Sequence, residues 1–238
     1  MLKAVFFDLD GTLLPFNENE FLKTYIGLLS KFIQQFGYDK DLFVKTLFEG
    51  LQDMYQNNGK KSNDDVFWDA FARNFGEKEL VHRPKFDIFY ETEFLKVKSI
   101  CQENKYAREI IDFCKNNHLI TVLATNPIIP GRGTIHRMGF VGLKEEDFQY
   151  ITLMESFGYA KPNPQYFIEL LNKFNLKPDE VLMFGNNELE DAACAESVGI
   201  KTYLIDSPFY IKDKNNERHF DVIKMEEVVD VIKKHLNS

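Results

Sequence analysis

Short apolar runs alternate with amphipathic helical stretches through more than half of this chain. That rhythm restricts it to a parallel sheet covered by helices on both faces. Residues 107–114 read as helix and 119–124 as strand. Residues 150–153 read as strand and 164–175 as helix. Strand follows at 181–184, helix at 188–198 and strand at 202–205, and an amphipathic helix over 225–236 closes the chain. The polar stretch 212–218 reads as a surface loop. At the other end, residues 4–9 form a short apolar run rich in Val and Phe, a buried strand. In such sheets ligands bind at the carboxyl ends of the strands, so those ends carry the functional reading.

Between the first strand and residue 107 the rhythm changes to helix alone. Phe21, Tyr25, Leu28, Leu29, Phe32, Ile33 and Phe36 follow one helical face, and Gly37 can stop it. A second helix carries Phe43, Leu47, Leu51 and Met54. A third begins at Ser62 or Asn63, and Pro84 opens a fourth that runs through Phe86, Phe89, Tyr90 and Phe94. The expected organisation is a core of residues 1–15 and 97–238 with a helical domain, 16–96, inserted into it.

Composition narrows the partners. The 238 residues are 44% hydrophobic and include 23 Phe, enough for a packed core. A formal net charge of −8 argues against nucleic acid or an anionic membrane as partner. Cys101, Cys114 and Cys194 are isolated, as reduced structural thiols are, and the five histidines lack metal-ligand spacing. The N-terminal apolar run meets Asp8 too soon for a signal peptide, and no run is long enough to span a bilayer. A cytoplasmic protein is expected. The sequence is silent on oligomeric state.

Four segments at strand ends carry chemistry. Asp8-Leu9-Asp10-Gly11-Thr12 follows the first strand. Its two carboxylates sit where strand becomes loop and can face one site. One can attack phosphorus while the other handles protons, and a divalent cation would offset their repulsion. Thr125-Asn126 ends the second strand, offering a hydroxyl and backbone N–H groups to a phosphate. Lys161 lies in Lys-Pro-Asn-Pro ahead of a helix, where an ammonium can neutralise phosphate and carboxylate charge. The last is the acidic loop Gly185-Asn186-Asn187-Glu188-Leu189-Glu190-Asp191. Each segment has a plainer reading: a turn, a strand end, a surface lysine and an acidic N-cap.

Taken together and in order, these segments resemble the four motifs of the haloacid dehalogenase superfamily. The resemblance implies a Rossmann-like core, with the helical insert as its C1-type cap. It implies a magnesium-dependent phosphatase acting on a small phosphorylated metabolite. By that resemblance Asp8 is the nucleophile and becomes an aspartyl-phosphate, and Asp10 is the general acid and base. Thr125, Asn126 and Lys161 bind the phosphoryl group. Magnesium rests on Asp8, the Asp10 backbone carbonyl and Asn186, with Asp191 supporting the site from behind. One departure stands out: the family places Asp directly after the fourth-motif glycine, where this chain has Asn186.

The acid at position 10 disfavours a dehalogenase, and the chain's length and insert disfavour a receiver domain. A phosphomutase and a non-catalytic phosphate-binding protein remain as alternatives. Specificity is expected in the cap, with Lys31, Lys60, Lys61 and Arg73 as candidate anion contacts.

Overall fold

In the computed structural model, which describes residues 1–215 and 217–237, six strands form one parallel sheet. They are β1 (Ala4–Phe7), β2 (Ile120–Leu123), β3 (Tyr150–Ile151), β4 (Val181–Gly185), β5 (Lys201–Ile205) and β6 (Asp221–Ile223), in the order β3-β2-β1-β4-β5-β6. The chain works outward from β1 through β2 to β3, then returns to place β4 on the other side of β1. This reversal opens a crevice at the strand ends. Phe7 pairs with Leu123 on one side and Phe184 on the other. The residues that follow these three strands therefore emerge level with one another.

Alternation along the strands divides the core. Val5, Phe7, Leu123, Leu182 and Phe184 face one side, and Ala4, Phe6, Val122 and Met183 face the other. The helices of the chain are α1 (Glu18–Gln34), α2 (Lys40–Tyr55), α3 (Asn63–Phe75), α4 (Arg83–Glu91), α5 (Ala107–Asn116), α6 (Gly131–Phe140), α7 (Gln165–Phe174), α8 (Cys194–Ser197) and α9 (Val228–Leu236). Ile110 and Ile111 of α5, Met138 of α6 and Ile232 of α9 cover the first face. Phe167 and Leu170 of α7 and Ala195 of α8 cover the second. This is the expected α/β class, a parallel sheet with helices on both faces and an all-helical cap inserted after β1.

Helices α1 to α4 form the insert. Asn17, Asp39 and Ser62 cap the first three, each accepting a backbone N–H three residues on. Pro84 lies in the first turn of α4. That helix ends at Glu91 rather than continuing to Phe94. Thr92 turns its hydroxyl back to the Ile88 carbonyl at 2.6 Å, and residues Glu93–Ile100 continue as 3-10 turns. Phe94 nevertheless stays buried against Phe21, Tyr25, Phe89 and Tyr90. Tyr38, Trp68, Phe71, Phe75 and Phe86 make a second aromatic group.

Three further differences from the sequence expectation have local causes. β6 is a three-residue edge strand, too short to show alternation. Helix α6 holds three glycines in ten residues, a composition that hides a helix. A tertiary contact supports it, because the Glu155 carboxylate accepts the Gly131 N–H at 2.8 Å. The stretch expected as one helix over 188–198 begins instead as a π-helical turn, Glu188–Ala193, before α8.

Several joints tie the cap to the core, and three lie outside the crevice. Gln102 N–H donates to the Pro15 carbonyl at 2.8 Å and Asn104 Nδ2 to the Leu13 carbonyl at 2.9 Å, tying together the two connections to the core. Arg132 of α6 pairs with Asp87 and Glu91 of α4. The third joint is the α2–α3 turn. There Asn63, fully buried, donates to the Pro127 carbonyl at 3.0 Å and accepts from Asn57 at 2.8 Å. Asn63→Ala should destabilise the protein by roughly 1–3 kcal/mol, because it strands a buried carbonyl and a buried amide. Urea unfolding monitored by circular dichroism measures this, and an unchanged midpoint would rule out a stabilising joint at this turn.

Candidate active site

Strand ends bring the expected residues into one crevice. β1 ends into Asp8, β2 into Thr125 and β4 into Asn186, and a loop from below carries Lys161 between them. Lys161 is 1% exposed, and its Nζ lies 2.9 Å from Asp8 Oδ1 and 2.6 Å from Asp191 Oδ1. The other Asp191 oxygen, Oδ2, accepts the backbone N–H groups of Asn186 and Asn187, each at 3.0 Å. One carboxylate thus fixes both the lysine and the loop that presents Asn186. Thr125 is aimed from behind, its carbonyl accepting the Thr152 hydroxyl at 2.6 Å and the Tyr166 hydroxyl at 2.9 Å.

Charge in this crevice is unbalanced. Burial pushes the Asp8 carboxyl well above its ordinary value; Lys161 pulls it back, and Asp191 and Asp10 push it up further. Burial alone would lower the Lys161 ammonium, but Asp191 and Asp8 outweigh it and hold that group well above its ordinary value. A protonated lysine between two carboxylates leaves an excess of negative charge. A cation beside Asp8 would relieve it.

The donors there are hard oxygens, the kind magnesium takes. The Thr12 hydroxyl lies 3.2 Å from Asp8 Oδ2 and 3.3 Å from Asn186 Oδ1, so both oxygens face one corner. Asn186 Nδ2 donates to the Phe209 carbonyl at 2.8 Å, which turns its oxygen into the site. Gly11, at φ +78°, passes so close that a Cβ there would lie 2.1 Å from Asn186 Nδ2. Among the described residues, no three His, Cys, Asp or Glu side chains gather as a metal cluster. The set at this corner is different in kind: the Asp8 carboxylate and the Asn186 amide oxygen, with the Thr12 hydroxyl between them.

Two placements change the sequence reading. The Asn126 side chain does not stand free for phosphate. Its Oδ1 accepts the Lys161 N–H at 3.1 Å, and its Nδ2 donates to the Lys161 carbonyl at 3.1 Å and to Glu190 at 3.0 Å. Asn126 therefore braces the main chain of the lysine. The four cap cations expected to meet anions lie outside the cavity: Lys31 and Lys60 are exposed, Lys61 pairs with Asp69 and Arg73 pairs with Asp53.

The residue missed most completely is Arg137, on the unanticipated helix α6. It is fully buried, pairs with Asp10 Oδ2, and donates to the Gly133 carbonyl at 3.2 Å and the Thr134 hydroxyl at 3.1 Å. Its guanidinium lies over the Phe21 ring at 5.7 Å. Asp10 Oδ1, the second oxygen, is buried and without a hydrogen-bond partner. Nothing local in the sequence marks Arg137, whose role depends on where α6 lies. Glu190 was also unassigned. It accepts the Tyr55 hydroxyl at 3.2 Å as well as Asn126, linking cap to core, and burial raises its carboxyl.

The crevice opens into a cavity of about 630 Å³ between core and cap. Asp8, Asp10, Thr125, Lys161, Asn186 and Asp191 line its floor.

This fold and this site correspond to a known class. Residues 2–199 match the haloacid dehalogenase-like hydrolases, so the chain belongs to that family. Its near-full-length curated relatives include phosphatases. It is 24% identical over 242 residues to a glyceraldehyde 3-phosphate phosphatase from Methanopyrus kandleri, covering 98% of each chain. It is 25% identical over 204 residues to a phosphorylated carbohydrates phosphatase from Thermotoga maritima, covering 84% of this chain and 83% of that one. Among solved structures, a phosphatase of the family from Thermococcus onnurineus superposes with a TM-score of 0.61 at 19% identity. That match covers 97% of this chain and 98% of that one.

The Arg137–Asp10 pair has a measurable consequence. Asp10→Ala leaves a buried guanidinium without its counter-charge and should lower the unfolding free energy by roughly 3–5 kcal/mol. Asp10→Asn should cost less, because the amide oxygen still accepts from Arg137. Equal urea midpoints for the two variants would show that the pair does not hold the fold.

Proposed function

We propose that the protein hydrolyses a small phosphate monoester in two steps, through an aspartyl-phosphate on Asp8, with magnesium as cofactor. The observation that carries this reading is the placement of Lys161 between Asp8 and Asp191, at strand ends level with Thr125 and beside Asp10. An Asp8 oxygen attacks phosphorus, and Asp10 gives a proton to the departing ester oxygen. Water then attacks the acyl phosphate while Asp10 takes its proton, which frees inorganic phosphate and restores Asp8. The Lys161 ammonium and the Thr125 hydroxyl neutralise and orient the phosphoryl oxygens, which is most of what phosphoryl transfer asks of a protein. Asp10 suits a proton carrier, because Arg137 holds one carboxylate oxygen and leaves the other without a partner. Magnesium, held by Asp8, the Asp10 carbonyl and Asn186, would supply the positive charge this crevice lacks. Phosphatases of phosphorylated carbohydrates among its relatives support a small phosphorylated metabolite as substrate.

Asp8→Asn should abolish turnover of an aryl phosphate, because an amide cannot form the acyl phosphate. Asp10→Asn should reduce it by roughly 10²–10⁴-fold. Melting temperatures recorded beside the rates separate lost chemistry from lost folding. Wild-type turnover in a folded Asp8→Asn protein would sink the mechanism.

Asn186 brings an oxygen without a charge to the cation. Asn186→Asp should therefore lower the magnesium concentration needed for half-maximal activity. Titrating both proteins with magnesium gives the answer, and identical curves would mean that position 186 does not limit metal binding.

A further inference from the structure

The floor of the cavity is polar, but much of its cap-side wall is carbon, with Glu18 and Asn19 at its edge near the floor. Phe21, Leu47, Phe48, Leu51, Met54 and Phe67 line it. Aromatic residues with polar tips also contribute, yet each tip is already bonded within the protein. The Tyr25 and Tyr90 hydroxyls share a hydrogen bond at 2.7 Å. Trp68 Nε1 donates to Asp64 at 3.0 Å, and the Tyr55 hydroxyl donates to Glu190 at 3.2 Å.

The cations of the cavity are committed in the same way. Besides Lys161, the basic residues on its walls are Arg83 and Arg132. Arg83 pairs with Asp64 and lies over the Trp68 ring at 5.3 Å. Arg132 pairs with Asp87 and Glu91. The acids do not welcome an anion either. Glu155 is occupied at the start of α6, and Glu18 and Glu190 add negative charge near the catalytic end.

We propose, building on the phosphatase reading above, that the leaving group of the substrate is largely hydrocarbon, an alkyl or aryl alcohol rather than a polyol. A sugar entering this cavity would give up water at hydroxyls that face these carbon walls, where the tyrosine and tryptophan tips are already engaged within the protein. A second phosphate or a carboxylate would meet on the walls only Arg83 and Arg132, and each already has a carboxylate beside it. A hydrocarbon chain makes neither demand, and each methylene moved from water into apolar surroundings favours binding by about fourfold. At about 630 Å³ the cavity has room beyond the phosphoryl group for such a chain. Enclosed ligand sites run from about 300 to 1,000 Å³.

The test uses the wild-type protein with magnesium. Calorimetry gives the affinity for n-alkylphosphonates from methyl to octyl. Steady-state kinetics give kcat/KM for the matching alkyl phosphates, phenyl phosphate, glycerol 3-phosphate and glucose 6-phosphate. Affinity and kcat/KM should rise with chain length, by up to about fourfold per methylene, and hexyl phosphate should exceed both polyol phosphates by about tenfold or more. A flat or falling series, or a preference for the polyol phosphates, overturns the proposal. Phosphonates carry no ester to cleave, so their affinities report on the cavity whether or not the protein turns over. A rising affinity series without turnover of any ester upholds the carbon-lined site and sinks the phosphatase reading. Turnover with a flat series does the reverse.

Discussion

The Lys161 ammonium, shared by Asp8 and Asp191 out of contact with solvent, is the interaction on which the rest of the site depends. A charge buried this deeply is tolerated only when paired, and removing one partner of such a group costs several kcal/mol. Asp191 also holds the backbone of Asn186 and Asn187, so the lysine and the fourth-motif loop are positioned as one unit. Asn126 fixes the main chain of the lysine from the other side. Asp8, Lys161 and Asn186 thus come from three distant stretches of chain and share one hydrogen-bonded frame.

A second buried ion pair, Arg137 with Asp10, divides the labour of the two aspartates. Burial raises the Asp8 carboxyl above its ordinary value, Lys161 opposes that shift, and Asp191 and Asp10 add to it. Asp10 has a permanent counter-charge in Arg137 and keeps one oxygen uncommitted. Two carboxylates two residues apart therefore sit in different surroundings, one beside a buried lysine and the other beside a buried arginine.

The aromatic cap is joined to this centre mechanically as well as chemically. Phe16 stacks on Phe21 at 4.8 Å where the chain leaves the core, and the apolar cluster of the sheet's first face continues into the cap. Tyr55 reaches Glu190, and Glu190 reaches Asn126, which braces Lys161. Three hydrogen bonds in series thus connect α2 to Lys161.

Much of this was legible in the chain itself. The alternation of short apolar runs with helices determined the parallel sheet. The apolar faces of the cap helices and the start of the third near Ser62 were legible too, because both are local properties of sequence. Asp8, Thr125 and Lys161 were identifiable for the same reason, each standing in a short motif at a strand end. What tertiary structure decided involves contacts between distant segments. Helix α6 is poor in helix formers and owes its first turn to Glu155, so neither it nor Arg137 could be read locally. That the Asn126 side chain braces the backbone of Lys161 likewise depends on a contact between distant segments. The cap lysines looked like anion contacts, yet the helices turn them outward and leave the cavity to carbon. Periodicity reports which face of an element is buried. Only the packed chain shows which polar groups have already found partners, and that accounting sets what the cavity can accept.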